Sequence, residues 1–358
     1  MNAPLLARPL GLRAADLSDP AECARIAAWV GEHPEATPFH LPEWSVAVAH
    51  GCRQHSHYLL AQTGDGSIAG ALPLTAVHSP IFGRALVSSG FGVGGGILAS
   101  HRDAAPALAD AAWTLAARLS CPGVELRGGA LPGEGWHAND TTYLGFVRDL
   151  AADADAELLA IPRKQRAEVR RALDNADLEV ETGTDGDQLR DHYGVYAESV
   201  RNLGTPVFPA RLFAEVVRKF GSHADVLIIR HRGVAVASVL SLYWRGTVYP
   251  YWGGGTRAAR ALRANDLMYF ALMGHARARG CTRFDFGRSK AGTGAAAFKK
   301  NWGFEARPLA YFTRTADGAA PRAVNPLDPR YSLQVRAWQR MPLWLANRIG
   351  PWIARGLG

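Results

Sequence analysis

The stretch FDFGRSKAGTGAAAFKKNWG, Phe284 to Gly303, gathers one carboxylate (Asp285) and the cations Arg288, Lys290, Lys299 and Lys300 around a glycine-spaced loop. In an extended segment Phe284 and Phe286 point to one face and Asp285 to the other. A carboxylate so placed can orient an amine or accept its proton. Lys299, on an expected helix one turn before Trp302, can bind an anionic group or steady an oxyanion. A salt bridge from Asp285 to Arg288 or Lys290 is the plainer alternative. Neither a Ser-His-Asp set nor a Cys-His elbow accompanies these residues, so direct attack by a substrate amine fits better than covalent catalysis. Asp285 and Lys299 are the candidate catalytic pair, and Arg288 and Lys290 are candidate substrate contacts.

The elements that must position them occur twice. Gly90–Gly129 and Tyr249–Lys290 each contain a triple glycine, a loop and an Ala-rich helix. A turn with cysteine and a short acidic strand follow in both. The acid lies four residues after the cysteine in both, as Glu125 after Cys121 and Asp285 after Cys281. Matched spacing of this kind predicts two copies of one α/β unit. Strands are expected at 57–62, 67–77, 84–89, 178–181, 225–230, 234–244 and 246–252, with RHRG and WRGT as hairpin turns. Antiparallel hairpins leading into a helix and a further strand describe an α+β fold. GFGVGG (90–95) is not a dinucleotide loop, because ILASHRD separates it from a helix start near Asp103. GRSKAGTG lacks the Lys-Ser/Thr of a phosphate loop.

Further candidate substrate contacts follow from local pattern. In IPRKQRAEVRRAL, Arg163, Arg166 and Arg170 share one helix face, which is either solvated or a surface for phosphates. The stiff loop SVRNLGTPVFP offers Arg201 and Asn202. Strand VYPYW contributes Tyr251 and runs into Gly253 and Gly254, which admit either a ligand or a neighbouring strand. Arg257, Arg260 and Arg263 follow, with Asn265 or Asp266 expected to cap the next helix. Glu125 and Arg127 are the equivalent candidates in the N-terminal copy.

Composition sets bounds. At 358 residues with 48% hydrophobic content the chain is long enough for two globular domains. Its net charge of +8 favours anionic partners without identifying one. The scattered cysteines, with no C-x-x-C pair, favour neither a disulfide framework nor a zinc site, so no metal is expected. The N-terminus lacks a signal-peptide core and no apolar run reaches membrane-spanning length, which predicts a cytoplasmic chain.

SVRNLGTPVFP, YPYWGGGT, ANDLMYFALM, CTRFDFGRSK and GTGAAAFKKNWGFE together resemble FemAB-related proteins associated with PEP-CTERM/exosortase systems and exopolysaccharide gene clusters. The likeness covers most of the chain and is densest over 160–312. The wider group is similar to FemABX peptidyltransferases and BioF2-like acetyltransferases. It implies an α+β chain of two tandem GNAT-like domains, 1–154 and 155–320, with an Arg/Trp-rich helical tail over 321–358. The implied reaction transfers an acyl or aminoacyl group to an amine of an envelope or exopolysaccharide acceptor. FemABX enzymes use aminoacyl-tRNA and a peptidoglycan precursor. The implied donor here is aminoacyl-tRNA or acyl-CoA, with no permanently bound cofactor. Lys299 matches the lysine of the family's F-K-x-x-W-G motif. The tRNA-contacting heptad arm of many FemABX enzymes has no counterpart in this sequence. A non-catalytic module that binds an envelope precursor is the alternative. The tail, with Trp338, Trp344 and Trp352 among Arg336, Arg340, Arg348 and Arg355, is expected to lie on an anionic membrane or to pack on the second domain.

Overall fold

The computed structural model describes residues 10–317 and 332–358. Residues 318–331, where the expected tail begins, lie outside the described residues. Packing divides the chain into two units. The first comprises the described residues to Asn139, with those from Ala310 and with Gly356–Gly358; the second comprises Asp140–Leu309 and the C-terminal helices to Arg355.

In the first unit, strands β1 (Gly11–Ala14), β2 (His55–Gln62), β3 (Ile68–Ser79), β4 (Gly83–Ser88), β5 (Leu98–Ala99) and β6 (Gly123–Arg127) accompany helices α1 (Pro20–Glu32), α2 (Pro42–Cys52) and α3 (Ala104–Arg118). The sheet runs β1-β2-β3-β4-β6, with β5 beside β3. Strands β1 to β4 are antiparallel. Helix α3 then returns the chain so that β6 lies parallel to β4. Six alanines and leucines of α3 (Ala104, Ala105, Leu108, Ala109, Ala112, Ala116) are buried against Leu72, Leu74, Leu86 and Ile97. Small side chains let the helix lie close to the sheet.

The second unit begins with β7 (His137–Asp149), α4 (Ala154–Ala160), α5 (Arg163–Leu173), β8 (Leu178–Gly183), α6 (Gly186–Asn202) and α7 (Ala210–Phe220). It continues through β9 (Ala224–His231), β10 (Val234–Trp244), β11 (Thr247–Gly255), α8 (Ala259–Leu262), α9 (Ala264–Ala278), β12 (Arg283–Lys290), α10 (Gly294–Asn301) and the start of β13 (Ala306–Thr315), whose residues from Ala310 belong to the first unit. Helices α11 (Ser332–Arg340) and α12 (Leu343–Ala354) close the chain. The sheet order is β7-β12-β11-β10-β9-β8. Both expected hairpins form. Arg232 and Gly233 have φ of 51° and 79°, and Arg245 and Gly246 have 47° and 68°. Two successive positive φ values give a turn whose twist matches that of the flanking strands, and glycine makes the second one inexpensive. The core on one face of this sheet holds Phe146, Phe284, Phe286, Met268, Met273, Trp302 and Phe304.

The expected duplication is visible in topology. β4-α3-β6 repeats as β11-α9-β12, each with a short parallel ladder: Leu86 and Val87 beside Val124 and Glu125, Thr247 and Val248 beside Arg283 and Phe284. Three expectations need correction. The division does not fall at 154/155, because β7 pairs antiparallel with β12, from Arg283 beside Asp149 to Lys290 beside Tyr143. Likewise Tyr311–Thr315 of β13 pair with β6 and belong to the first unit. Pairing between such distant segments leaves no local trace in sequence. Asn265 and Asp266 lie inside the first turn of α9 rather than capping it; the residue before the helix is Arg263, at φ 55°. The tail forms two helices, interrupted at Met341-Pro342, since proline has no N–H to continue α11.

Among the described residues no helix is long and apolar enough to cross a membrane. None of their His, Cys, Asp and Glu side chains gather in threes around a possible metal position. All four cysteines are free thiols.

Candidate active site

Asp285 stands where the parallel β11–β12 ladder ends, one residue beyond Phe284. Phe284 and Phe286 are buried in the core, while Asp285 is half-buried on the opposite face, the alternation expected of a strand. The strand then bulges. Asp285 is opposite Val147, but Arg288 is opposite Gly145, so three steps on β12 match two on β7. Gly287 supplies the left-handed backbone, φ 67°, that the bulge requires. Its N–H donates to Asp285 Oδ1 at 2.8 Å. The carboxylate therefore fixes the kink in its own strand.

Lys299 reaches the bulge from α10. Thr293 holds the start of that helix: its Oγ1 accepts from the Ala296 N–H at 3.3 Å and donates to the Lys290 carbonyl at 2.8 Å. Lys299 Nζ donates to the Arg288 carbonyl at 2.9 Å. It also lies 5.3 Å from the Phe146 ring centre and 5.5 Å from that of Phe286. The Arg288 guanidinium sits 4.7 Å over the Tyr143 ring, and Lys290 Nζ is 5.9 Å from the same ring.

Electrostatics sets Asp285 and Lys299 apart from ordinary surface charges. Loss of water pushes the Asp285 carboxyl up to about 6, opposed by the Gly287 N–H and by the Lys299 and Arg283 charges. Loss of water likewise brings Lys299 down to about 8, with Asp285 pulling it back up and Arg288 pushing it further down. Burial, with a smaller contribution from Arg288, lowers Lys290 as well. Burial, reinforced by the Asp285 charge, pushes the Tyr249 phenol upward, so β11 also feels the acid. Asp285 and Lys299 can thus both change protonation near neutral pH.

The other sequence candidates lie elsewhere. Glu125 and Arg127 form an ion pair at 2.8 Å in the first unit. Arg127 is nine-tenths buried or more and donates further to the Gly92 and Gly358 carbonyls. Gly253 and Gly254 have a packing explanation. A Cβ on Gly253 would stand 2.9 Å from Val239 Cγ2, and one on Gly254 would stand 2.2 Å from Ser199 Oγ. The protein's own atoms therefore occupy the space left by those missing side chains. Tyr251 packs edge-on against Trp252 at 4.8 Å. Arg201 donates to the Gln339 carbonyl of α11 at 3.0 Å, with Asn202 beside it at the end of α6. Arg166 folds back on the Ile161 and Leu159 carbonyls, whereas Arg163 and Arg170 are exposed.

The sequence reading missed Tyr143, Phe146 and Tyr249, which reach the site through β7 and β11. No motif marks them, because strand pairing alone brings Tyr143 beside Arg288 and Lys290, Phe146 beside Lys299, and Tyr249 within the field of Asp285. Arg257, Arg260 and Arg263, which the sequence marked as suiting an anionic group, line an open recess of about 810 Å³ at the α5–α8–α9 junction together with Gln165, Glu168 and Asp266, which it did not place there. Glu168 pairs with Arg263 at 2.7 Å, and Asp266 accepts from Gln165 at 2.6 Å. Arg257 and Arg260 leave the recess with an excess of positive charge.

Residues 163–300 match the acetyltransferase (GNAT) domain family. No curated protein matches the chain. Among solved structures, FemX is similar at TM-score 0.64 and 14% identity, over 86% of this chain and 98% of FemX. A tandem GNAT protein from the clavulanic acid biosynthesis pathway is similar at TM-score 0.55 and 15% identity, over 87% of this chain and all of that one (100%). The C-terminal domain of a putative lysylphosphatidylglycerol synthetase from Agrobacterium fabrum is similar at 0.53 and 12%, over 82% and 92%. These likenesses, with the repeated β-α-β plan, make the architecture two tandem GNAT-like domains with a helical C-terminal tail.

Proposed function

We propose that the chain is an N-acyltransferase that moves an acyl or aminoacyl group onto the amine of a cell-envelope or exopolysaccharide-related acceptor. The observation carrying this reading is the desolvation of Asp285, where the β11–β12 ladder ends, and of Lys299, each of which feels the other's charge. Asp285 orients the attacking amine and takes its proton as the C–N bond forms. Lys299 steadies the negative charge that develops on the carbonyl oxygen. The donor's C–S or C–O bond then breaks, and the proton leaves with the departing group. Arg288 and Lys290, spread over Tyr143, hold an anionic part of donor or acceptor.

Acyl-CoA is the donor that the second unit favours. The Arg257 and Arg260 recess follows directly after β11 and suits a phosphate-bearing end. The name of the similar lysylphosphatidylglycerol synthetase domain supports an envelope acceptor.

The test is to incubate the purified chain with labelled acetyl-CoA, or with charged tRNA, and an amine-bearing envelope precursor, scoring transfer by mass. Transfer lost in both Asp285→Asn and Lys299→Ala supports the reading. Binding of a precursor that weakens in those variants, with turnover from neither donor, would support the non-catalytic alternative.

A further inference from the structure

The two C-terminal helices carry a surface that the acyltransferase reading does not use. Their inner sides are satisfied by the second unit. Ala346, Gly350 and Ala354 of α12 are buried, and Gly350 is close enough to Val207 that a Cβ would stand 3.1 Å from its backbone nitrogen. Helix α11 is tied down by Arg201 on the Gln339 carbonyl, and Val335 lies against Gly204. Both helices contact α6.

Their outer sides are apolar and cationic together. Trp344, Arg348 and Trp352 follow one another at four-residue intervals on one face of α12, with the tryptophans 70% and 47% exposed. On α11, Leu333 is 75% exposed and shares its face with exposed Arg336 and Arg340. Residues 332–358 contain four arginines and no Asp or Glu. Two large indoles in water, about two turns apart on one face of a packed helix, are costly to leave exposed, which marks an interaction surface. An occupant must accept apolar rings and supply negative charge.

We infer that the outer face of α11 and α12 docks the protein on an anionic lipid bilayer. Indoles of Trp344 and Trp352 enter the headgroup boundary, where an apolar ring and a polar N–H are both accommodated. Arg336, Arg340 and Arg348 lie at the level of the phosphates and hold them electrostatically. A folded RNA would satisfy the arginines but leave Leu333 and two indoles on adjacent helices without an apolar phase. The inference uses none of the residues assigned to acyl transfer and stands or falls apart from it.

The experiment is co-sedimentation of the full chain with vesicles rich in phosphatidylglycerol and with pure phosphatidylcholine vesicles, at about 0.1 M salt and at higher salt. Wild-type protein sediments with the anionic vesicles and not with the neutral ones. Trp344→Ser with Trp352→Ser weakens partitioning roughly tenfold or more. The triple change Arg336→Gln, Arg340→Gln, Arg348→Gln abolishes the preference for anionic lipid. Both variants keep wild-type circular dichroism and transfer to a soluble amine, since the changed side chains are exposed. The inference is overturned by absence of binding to anionic vesicles, by unaltered binding in both variants, or by tRNA gel shifts that the same changes remove while vesicles go unbound.

Discussion

Strands β6 and β12 occupy the same place in the duplicated plan and carry an acid at the same position, yet one acid is locked and the other is poised. Two residues after Glu125 stands Arg127, whose buried guanidinium pairs with it and also ties down the Gly92 carbonyl of the glycine loop. Two residues after Asp285 stands Gly287, which offers only a backbone N–H and bends the strand. The first carboxylate therefore has a full counter-charge within its own strand. The second must draw on Lys299 from α10, a helix with no counterpart between β6 and β7. A duplicated frame thus keeps one copy as a brace and leaves the other with an underpaired acid whose protonation changes near pH 6.

The largest expected effect tests the poised half. Lys299→Ala or Asp285→Asn lowers kcat by roughly a hundredfold or more. Glu125→Gln leaves turnover within about twofold, and an equal loss there would end the contrast between the two strands. Arg127→Ala is the reverse experiment. It removes the buried counter-charge of Glu125 and the donor to the Gly92 carbonyl, and destabilises the chain by about 2–4 kcal/mol in chemical denaturation. Gly287→Ala places a Cβ at φ 67°, costing about 1 kcal/mol. It also displaces the Asp285 carboxylate, with a drop in kcat larger than the stability change accounts for.

The pH profile sharpens the same comparison. Asp285 must be ionised, so activity rises through about pH 6; Lys299 must be protonated, so it falls through about pH 8. Lys299→Arg should remove the alkaline limb from any activity that remains, because arginine stays charged. The smallest effect is on stability. The folded Asp285 carboxyl titrates above its ordinary value, so its contribution is complete below about pH 4 and is lost as pH rises through about 6. At pH 7.5, Asp285→Asn therefore raises stability by about 1 kcal/mol while removing activity. A fall in melting temperature would show that the ionised carboxylate braces the fold.

Sequence alone placed the elements well where the signals were local. The Arg-Gly turns at 232–233 and 245–246, the β10 strand at Val234–Trp244 and the basic helix after Pro162 all formed where backbone preference and side-chain alternation pointed. The matched Cys-to-acid spacing revealed the duplication for the same reason. The candidate residues fared differently. Arg166, Gly253 and Gly254 looked available in one dimension, yet a carbonyl pair, Val239 and Ser199 occupy the space beside them.

The chain's own order of residues determined that Asp285 lies on a strand face opposite two phenylalanines and that Lys299 follows on a helix, because both facts depend on periods of two and about four residues. Only tertiary structure decided what those groups experience. Pairing of β7 with β12 brought Tyr143 and Phe146 to the site, and the bulge turned Gly287 toward the carboxylate. Desolvation, which moves both protonation equilibria toward neutrality, depends on atoms more than a hundred residues away in sequence and exists only once they have packed.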